Sequence, residues 1–242
     1  MNAFLFFLLA FVSEIVGTVG GFGSSVFFVP LAGFFFDFKT VLGLTGLLHV
    51  FSNIAKLFLF RKDIQWSLIW TIGIPSVLLV TFGAWLSNQV TFRYAELVLG
   101  VFCVVFALLF WWKPHLVIRP TRLNALSGGG IAGFLAGFIG TGGAVRAITL
   151  TSFGLEKNVF IATSAAIDFG VDVSRSVVYV GQGYVQGRDW WYLPGLILIA
   201  FAGSYIGKRL LNEVPQELFR KVVLFFIGIT GLIMIGKVMS FL

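Results

Sequence analysis

Charge is the scarcest property of this chain. Asp, Glu, Lys and Arg make up only 11% of its 242 residues, where soluble domains carry about 25%. Hydrophobic residues make up 58%, and the mean hydropathy is +0.99. A soluble core of this size has too little interior to hide that much apolar surface, so the expected solvent is lipid. Cysteine is nearly absent as well. Cys103 stands alone, which excludes an internal disulfide and a cysteine-based zinc cluster. It lies within the apolar run Leu97–Trp112 and is expected to pack as a small hydrophobe. No Lys or Arg precedes Lys39. The basic n-region of a signal peptide is therefore missing, and the apolar start is expected to be a retained membrane segment. There is no nucleophile–base pair, zinc motif or phosphate loop, so no enzyme, resident metal or cofactor is expected. The net charge of +7 resides mostly in short loops between apolar blocks, where membrane topology uses it, and does not point to nucleic acid.

Eight apolar blocks are present, near 2–36, 41–59, 67–87, 94–112, 125–154, 158–180, 190–207 and 218–241. A membrane helix needs about 20 residues, so most of these blocks would cross once. Blocks one and five are longer, and a glycine cluster interrupts each: Gly17-Thr18-Val19-Gly20-Gly21-Phe22-Gly23 and Gly137-Phe138-Ile139-Gly140-Thr141-Gly142-Gly143. Glycine destabilises helices and permits turns, so both are expected to be broken or re-entrant helices. The clusters align at an offset of 120, and the following block aligns at 119, placing Thr45, His49, Asn53 and Lys56 on Ser164, Asp168, Asp172 and Arg175. Pro75 falls on Pro194 at 119. The expected architecture is all-α and polytopic, with two homologous four-block repeats over 1–113 and 125–242, joined by a basic linker over 114–124.

Loop charges bear on the direction of the repeats. If all eight blocks cross, the two sides hold seven basic residues each, and no orientation is preferred. If blocks one and five return to the side they left, one side holds four: Lys39, Arg93, Arg188 and Lys237. The other holds ten: Arg61, Lys62, Lys113, Arg119, Arg122, Lys157, Lys208, Arg209, Arg220 and Lys221. The positive-inside rule favours this second arrangement. It makes the repeats inverted and places both termini outside.

Polar groups at membrane depth are costly and mark function by default. Ser164, Asp168, Asp172 and Arg175 share one helix face by their spacing, and Thr45, His49, Asn53 and Lys56 share the equivalent one. Arg146 follows the second break by three residues, where unpaired N–H groups and a positive dipole end favour anions. With Gly140, Thr141, Gly142 and Gly143 opposed to Gly20, Gly21, Gly23, Ser24 and Ser25, it would complete an anion cradle. Asp168, Asp172 and Glu14 are the candidate proton-coupling carboxylates. Plainer readings stand beside these. Asp168, Asp172 and Arg175 would then be self-neutralising, Arg146 would be a structural partner of an Asp, and His49 a satisfied core residue. The glycines would serve close helix packing, and Glu14 would pair with a site cation. Lys56, near the end of its block, is expected to snorkel to the interface. Trp66, Trp70, Trp111, Trp112, Trp190 and Trp191 read as interfacial anchors.

The duplicated glycine breaks resemble the sulfite exporter TauE/SafE family of membrane proteins, also called the toluene-sulfonate uptake permease family. Lys39-Thr40-Val41-Leu42-Gly43-Leu44-Thr45, Lys62-Asp63-Ile64-Gln65-Trp66 and Ala162-Thr163-Ser164-Ala165 are similar to its pattern. The likeness covers nearly the whole chain. The chain departs from the family's Gly-Gly-Gly run, having Gly20-Gly21-Phe22-Gly23 and Gly142-Gly143-Ala144. The resemblance implies transport of sulfite, organosulfur or related organic anions, often outward across a bacterial inner membrane. The expected partners are thus a small anion and the bilayer. The competing readings are a divalent cation transporter, with Asp168, Asp172, His49 and Asn53 as ligands, and a non-transporting scaffold.

Overall fold

The computed structural model describes residues 3–21, 23–60, 64–90, 92–113, 119–211, 213 and 215–239. Phe22, Arg61, Lys62, Asp63 and Pro114 lie outside the described residues. Among the described residues there is no strand. The helices are α1 (Ala3–Gly20), α2 (Ser25–Ala32), α3 (Phe38–Leu59), α4 (Trp66–Ser87), α5 (Phe92–Trp112), α6 (Arg122–Phe138), α7 (Gly143–Thr151), α8 (Lys157–Gly181), α9 (Gly187–Leu210) and α10 (Gln216–Met239). Among the described residues the expected eight blocks become ten helices, because each glycine cluster divides its block in two. Helices α1, α3, α4 and α9 are each long and apolar enough to cross a membrane.

Local chemistry sets the boundaries. The Asp37 carboxylate accepts hydrogen bonds from the backbone N–H groups of Lys39 and Thr40 at 3.1 and 3.2 Å and so caps α3. Thr121 caps α6 by accepting from the Asn124 N–H. Pro75 and Pro194 each stand just inside an α-helical stretch, where a missing N–H costs little. The turn before each is not α-helical: Ile69–Gly73 is a π turn and Gly187–Tyr192 a 3-10 turn. The proline ring crowds the preceding turn, and the local widening or tightening relieves it.

Each broken pair doubles back on itself. Ser24 reaches Glu14, while the Phe6 ring lies 5.5 Å from Phe28 and 4.9 Å from Phe36. Helix α2 therefore returns along α1 toward its start. Helix α7 does the same, since Gly142 abuts Ala132 and Gly128 abuts Thr149. The start of α1 lies at the end of the molecule where Phe6, Phe36 and Tyr192 meet. The start of α6 lies at the opposite end. There Ala125 shares a cluster with Leu68, and Gln65, just before α4, donates to Thr163 near the start of α8.

Glycine spacing lets α6 lie against α4. Gly129, Gly133 and Gly137 face the backbone of Ile72, Ser76 and Val80, and a Cβ on Gly133 would overlap the Ser76 carbonyl. Such small-residue contact is the usual way for helices to associate where lipid removes the hydrophobic drive. The main apolar core joins α1, α2, α3, α8 and α9 and extends to Leu99, Cys103 and Leu224. Outward faces are apolar too, with Leu198 72% and Leu78 65% exposed, the pattern of a surface solvated by lipid. Trp66, Trp112 and Trp191 stand exposed at helix ends.

Candidate functional site

The two breaks meet. Ser25, which opens α2, donates from its hydroxyl to the Thr141 hydroxyl in the second break, 3.3 Å away. Between the breaks and the polar faces of α3 and α8 lies a small, partly open cavity of about 30 Å³. Its walls include Gly23, Ser24, Ser25, His49 and Asn53 from one half, and Gly140, Gly142, Gly143, Arg146, Asp168, Asp172 and Arg175 from the other. Gly23 and Gly140 both hold φ +81°, a left-handed conformation that a side chain would strain.

Three cations and three carboxylates surround this space, arranged as pairs. Arg175 Nε and Nη2 donate to the Asp172 carboxylate at 2.7 Å each. Its Nη1 donates to the Ala136 and Gly140 carbonyls at 3.1 and 2.9 Å, and Nη2 also donates to His49 Nδ1 at 3.0 Å. Five N–H groups are thereby used, the full complement of a guanidinium. Tyr179 adds a hydrogen bond to the Gly137 carbonyl at 2.5 Å. Arg175 and Tyr179 thus satisfy carbonyls that the end of α6 leaves orphaned inside the membrane.

Glu14 is fully buried. It accepts from Lys56 Nζ at 2.8 Å and from the hydroxyls of Ser24 (2.8 Å), Ser52 (2.5 Å), Thr18 (3.2 Å) and Ser204 (3.2 Å). His49 links the two clusters. Arginine only donates, so His49 Nδ1 accepts and the ring is neutral, with its proton on Nε2. That N–H donates to Ser24 Oγ at 2.7 Å, and the Ser24 hydroxyl in turn donates to Glu14.

Arg146, the fourth residue of α7, is 3% exposed and pairs with Asp168. Its Nε donates to Ser164 at 3.1 Å. Asp168 and Asn53 also line a second, smaller cavity of about 20 Å³, together with Gly17, Gly21, Lys56 and Ser164.

The structure therefore gathers most of the expected residues around two adjoining cavities. Gly20, Thr141 and Glu14 line neither, though Thr141 holds Ser25. One expectation is corrected. Lys56 does not snorkel: it is 8% exposed and turned inward, because a buried Glu14 needs a counter-ion. Arg175 lines the first cavity, with N–H groups directed to Asp172, His49 and the carbonyls of the second break. Glu14, expected as a proton-coupling group, is sealed behind Ser24 and Ser52. Ser52 was not anticipated. The signal for it was its position three residues after His49 and four before Lys56, which puts it on the same helix face.

The model of the family described as sulfite exporter TauE/SafE matches residues 6–234. The chain belongs to that family. It is 24% identical to a probable membrane transporter protein of Methanocaldococcus jannaschii over 257 aligned positions, covering 96% of this chain and 94% of the relative. A probable membrane transporter protein of Haemophilus influenzae is 26% identical over 104 positions, covering 43% of this chain and 40% of the relative. No solved structure matches the chain. Membership in the TauE/SafE family makes this an integral membrane protein of a transporter family.

Proposed function

We propose that the chain is a secondary exporter of a small anion, sulfite or an organosulfur or related organic anion, acting in the inner membrane of a prokaryotic cell. Residues 1–113 and 125–242 act as two inverted repeats joined by the linker 114–124. In support, α1 starts at the end marked by Tyr192 while α6 starts at the end marked by Leu68 and Thr163, and each broken pair returns toward its origin. With the four-to-ten division of basic residues, both termini face outward. Inverted repeats with discontinuous helices around a midplane site are a recurring plan of secondary transporters.

The observation that carries the anion reading is Arg146. Its guanidinium lies in the wall of a polar cavity at the start of a half-helix, beside Asp168 and Ser164. Such a fork matches an oxyanion. The cation reading is weaker, because its candidate ligands Asp168 and Asp172 are each held by an arginine. An anion leaving the cell also moves down an inside-negative potential, at about 2.3 kcal/mol per charge per 100 mV.

Flux into proteoliposomes tests the reading, with sulfite, thiosulfate, small sulfonates and carboxylates as probes. Wild type is expected to show saturable flux of at least one of them. Arg146→Ala should lose a charge-assisted contact of about 1.5–3 kcal/mol, or roughly 10- to 150-fold in apparent affinity. Normal transport by a folded Arg146→Ala protein refutes the cradle.

A further inference from the structure

The three carboxylates of the site are held very differently. Glu14 has five donors and no exposure. Asp172 has Arg175 on one oxygen and Asn53 Nδ2, at 2.6 Å, on the other. Asp168 has a single charged partner, Arg146, and its side chain keeps 16% exposure. It also stands in the wall common to both cavities. Asp168 is the one carboxylate of the three that can leave its cation without stranding a network.

Charge balance limits what takes its place. Lys56, Arg146 and Arg175 are matched by Glu14, Asp168 and Asp172, with His49 neutral. An added monoanion would leave an uncompensated charge in a buried site, which is costly. The sum stays at zero if one proton from water joins the Asp168 carboxylate as the anion takes its place on Arg146.

Resting on the anion-transporter reading, we propose that Asp168 is a built-in competitor for the substrate. The anion displaces the Asp168 carboxylate from Arg146, and Asp168 takes up one proton as it leaves. Anion and proton therefore occupy the site together and move together. The groups that face Asp168 are Arg146 on α7, Lys56, Asn53 and His49 on α3, Ser24 in the first break, and Ser164, Asp172 and Arg175 on its own helix. Helix α4, which packs against α8, carries no charged residue and meets it with apolar groups such as Ile72 and Val77. Arg146 holds the Asp168 carboxylate while the two remain paired, so the arriving anion is what releases it.

The experiment is calorimetric titration of the purified full chain with methanesulfonate and benzenesulfonate, repeated in buffers of different ionisation enthalpy. Both probes are strong-acid anions that bind no proton themselves, so any proton taken up belongs to the protein. Wild type is expected to take up about one proton per anion bound near neutral pH. Asp168→Asn should take up none and bind about tenfold more tightly or better, because Arg146 is no longer occupied. Asp168→Glu should restore the proton uptake. Anion binding without proton uptake in wild type overturns the proposal and leaves the anion reading intact. Should Asp168→Asn fail to fold, the wild-type stoichiometry still decides. Absence of binding by wild type to these probes and to sulfite and thiosulfate overturns both.

Discussion

The two broken helices solve one problem with opposite charges. At the first break a buried carboxylate organises the turn: Glu14 gathers Lys56 and four hydroxyls from Thr18, Ser24, Ser52 and Ser204. At the second a buried guanidinium does so: Arg175 spans Asp172 and the open carbonyls of Ala136 and Gly140. Lys56 and Arg175 occupy equivalent places at an offset of 119, yet one serves a side-chain anion and the other a helix end. The second half then adds a second pair, Arg146 and Asp168, that the first half lacks. The Glu14 and Arg175 clusters are densely hydrogen-bonded, whereas Asp168 has one charged partner and 16% side-chain exposure. On the anion-transporter reading, the first two hold the scaffold and the third meets the ligand.

The sharpest way to break this comparison is Arg175→Ala. It strands Asp172 and uncaps the Ala136 and Gly140 carbonyls. Removing one partner of a buried pair costs about 3–5 kcal/mol. The expected outcome is loss of the monodisperse folded protein in detergent, read by size exclusion and thermal unfolding. Arg175→Lys should recover little, because an ammonium cannot span two carbonyls, a carboxylate and an imidazole. A stable, monodisperse Arg175→Ala protein would show that the second break does not depend on its cap.

Glu14→Gln probes the other half and should cost less. The amide keeps an acceptor for the surrounding hydroxyls, and Lys56 lines both cavities, where water relieves its lost counter-ion. We expect a loss of roughly 1–3 kcal/mol, seen as a lower melting temperature, with proton uptake on anion binding preserved. Loss of that uptake, with binding intact, would move the coupling role from Asp168 to Glu14 and erase the distinction between the halves.

Periodicity and glycine placement made the helical scaffold readable from sequence. Apolar blocks of membrane length, two glycine clusters and the Pro75–Pro194 pair each have a local physical consequence. Arg146 was also legible, because a cation just after a helix break is unusual in an apolar chain. Partnerships were not legible. Asn53 meets Asp172 across 119 residues, and Ser204 meets Glu14 across 190, and no local rule chooses among three cations and three carboxylates. The direction of Lys56 was misjudged for the same reason. A lysine near the end of a block snorkels when the interior offers nothing, and the offer came from Glu14, 42 positions earlier in the chain. The bonds from Arg175 to the Ala136 and Gly140 carbonyls were not legible either, because side-chain chemistry says nothing of which backbone carbonyls a distant break will leave open.

Thr45 gives the smallest expected effect and a test of the equivalence between the halves. It falls on Ser164 at the same 119 offset, but the environments differ. Ser164 accepts from Arg146, whereas the Thr45 hydroxyl is buried without a hydrogen-bond partner among the described residues. An unpaired buried hydroxyl stabilises nothing and carries a desolvation cost. Thr45→Val keeps the shape and removes that hydroxyl, so it should be neutral or stabilising by up to about 1 kcal/mol. Ser164→Ala should instead weaken the anion's apparent affinity, since it removes a group that orients Arg146. A measurable loss of flux in Thr45→Val, at unchanged stability, would mean that the first half also contacts substrate at this depth. The polar face of α3 would then belong to the transport path along its length, rather than serving mainly to hold the break in place.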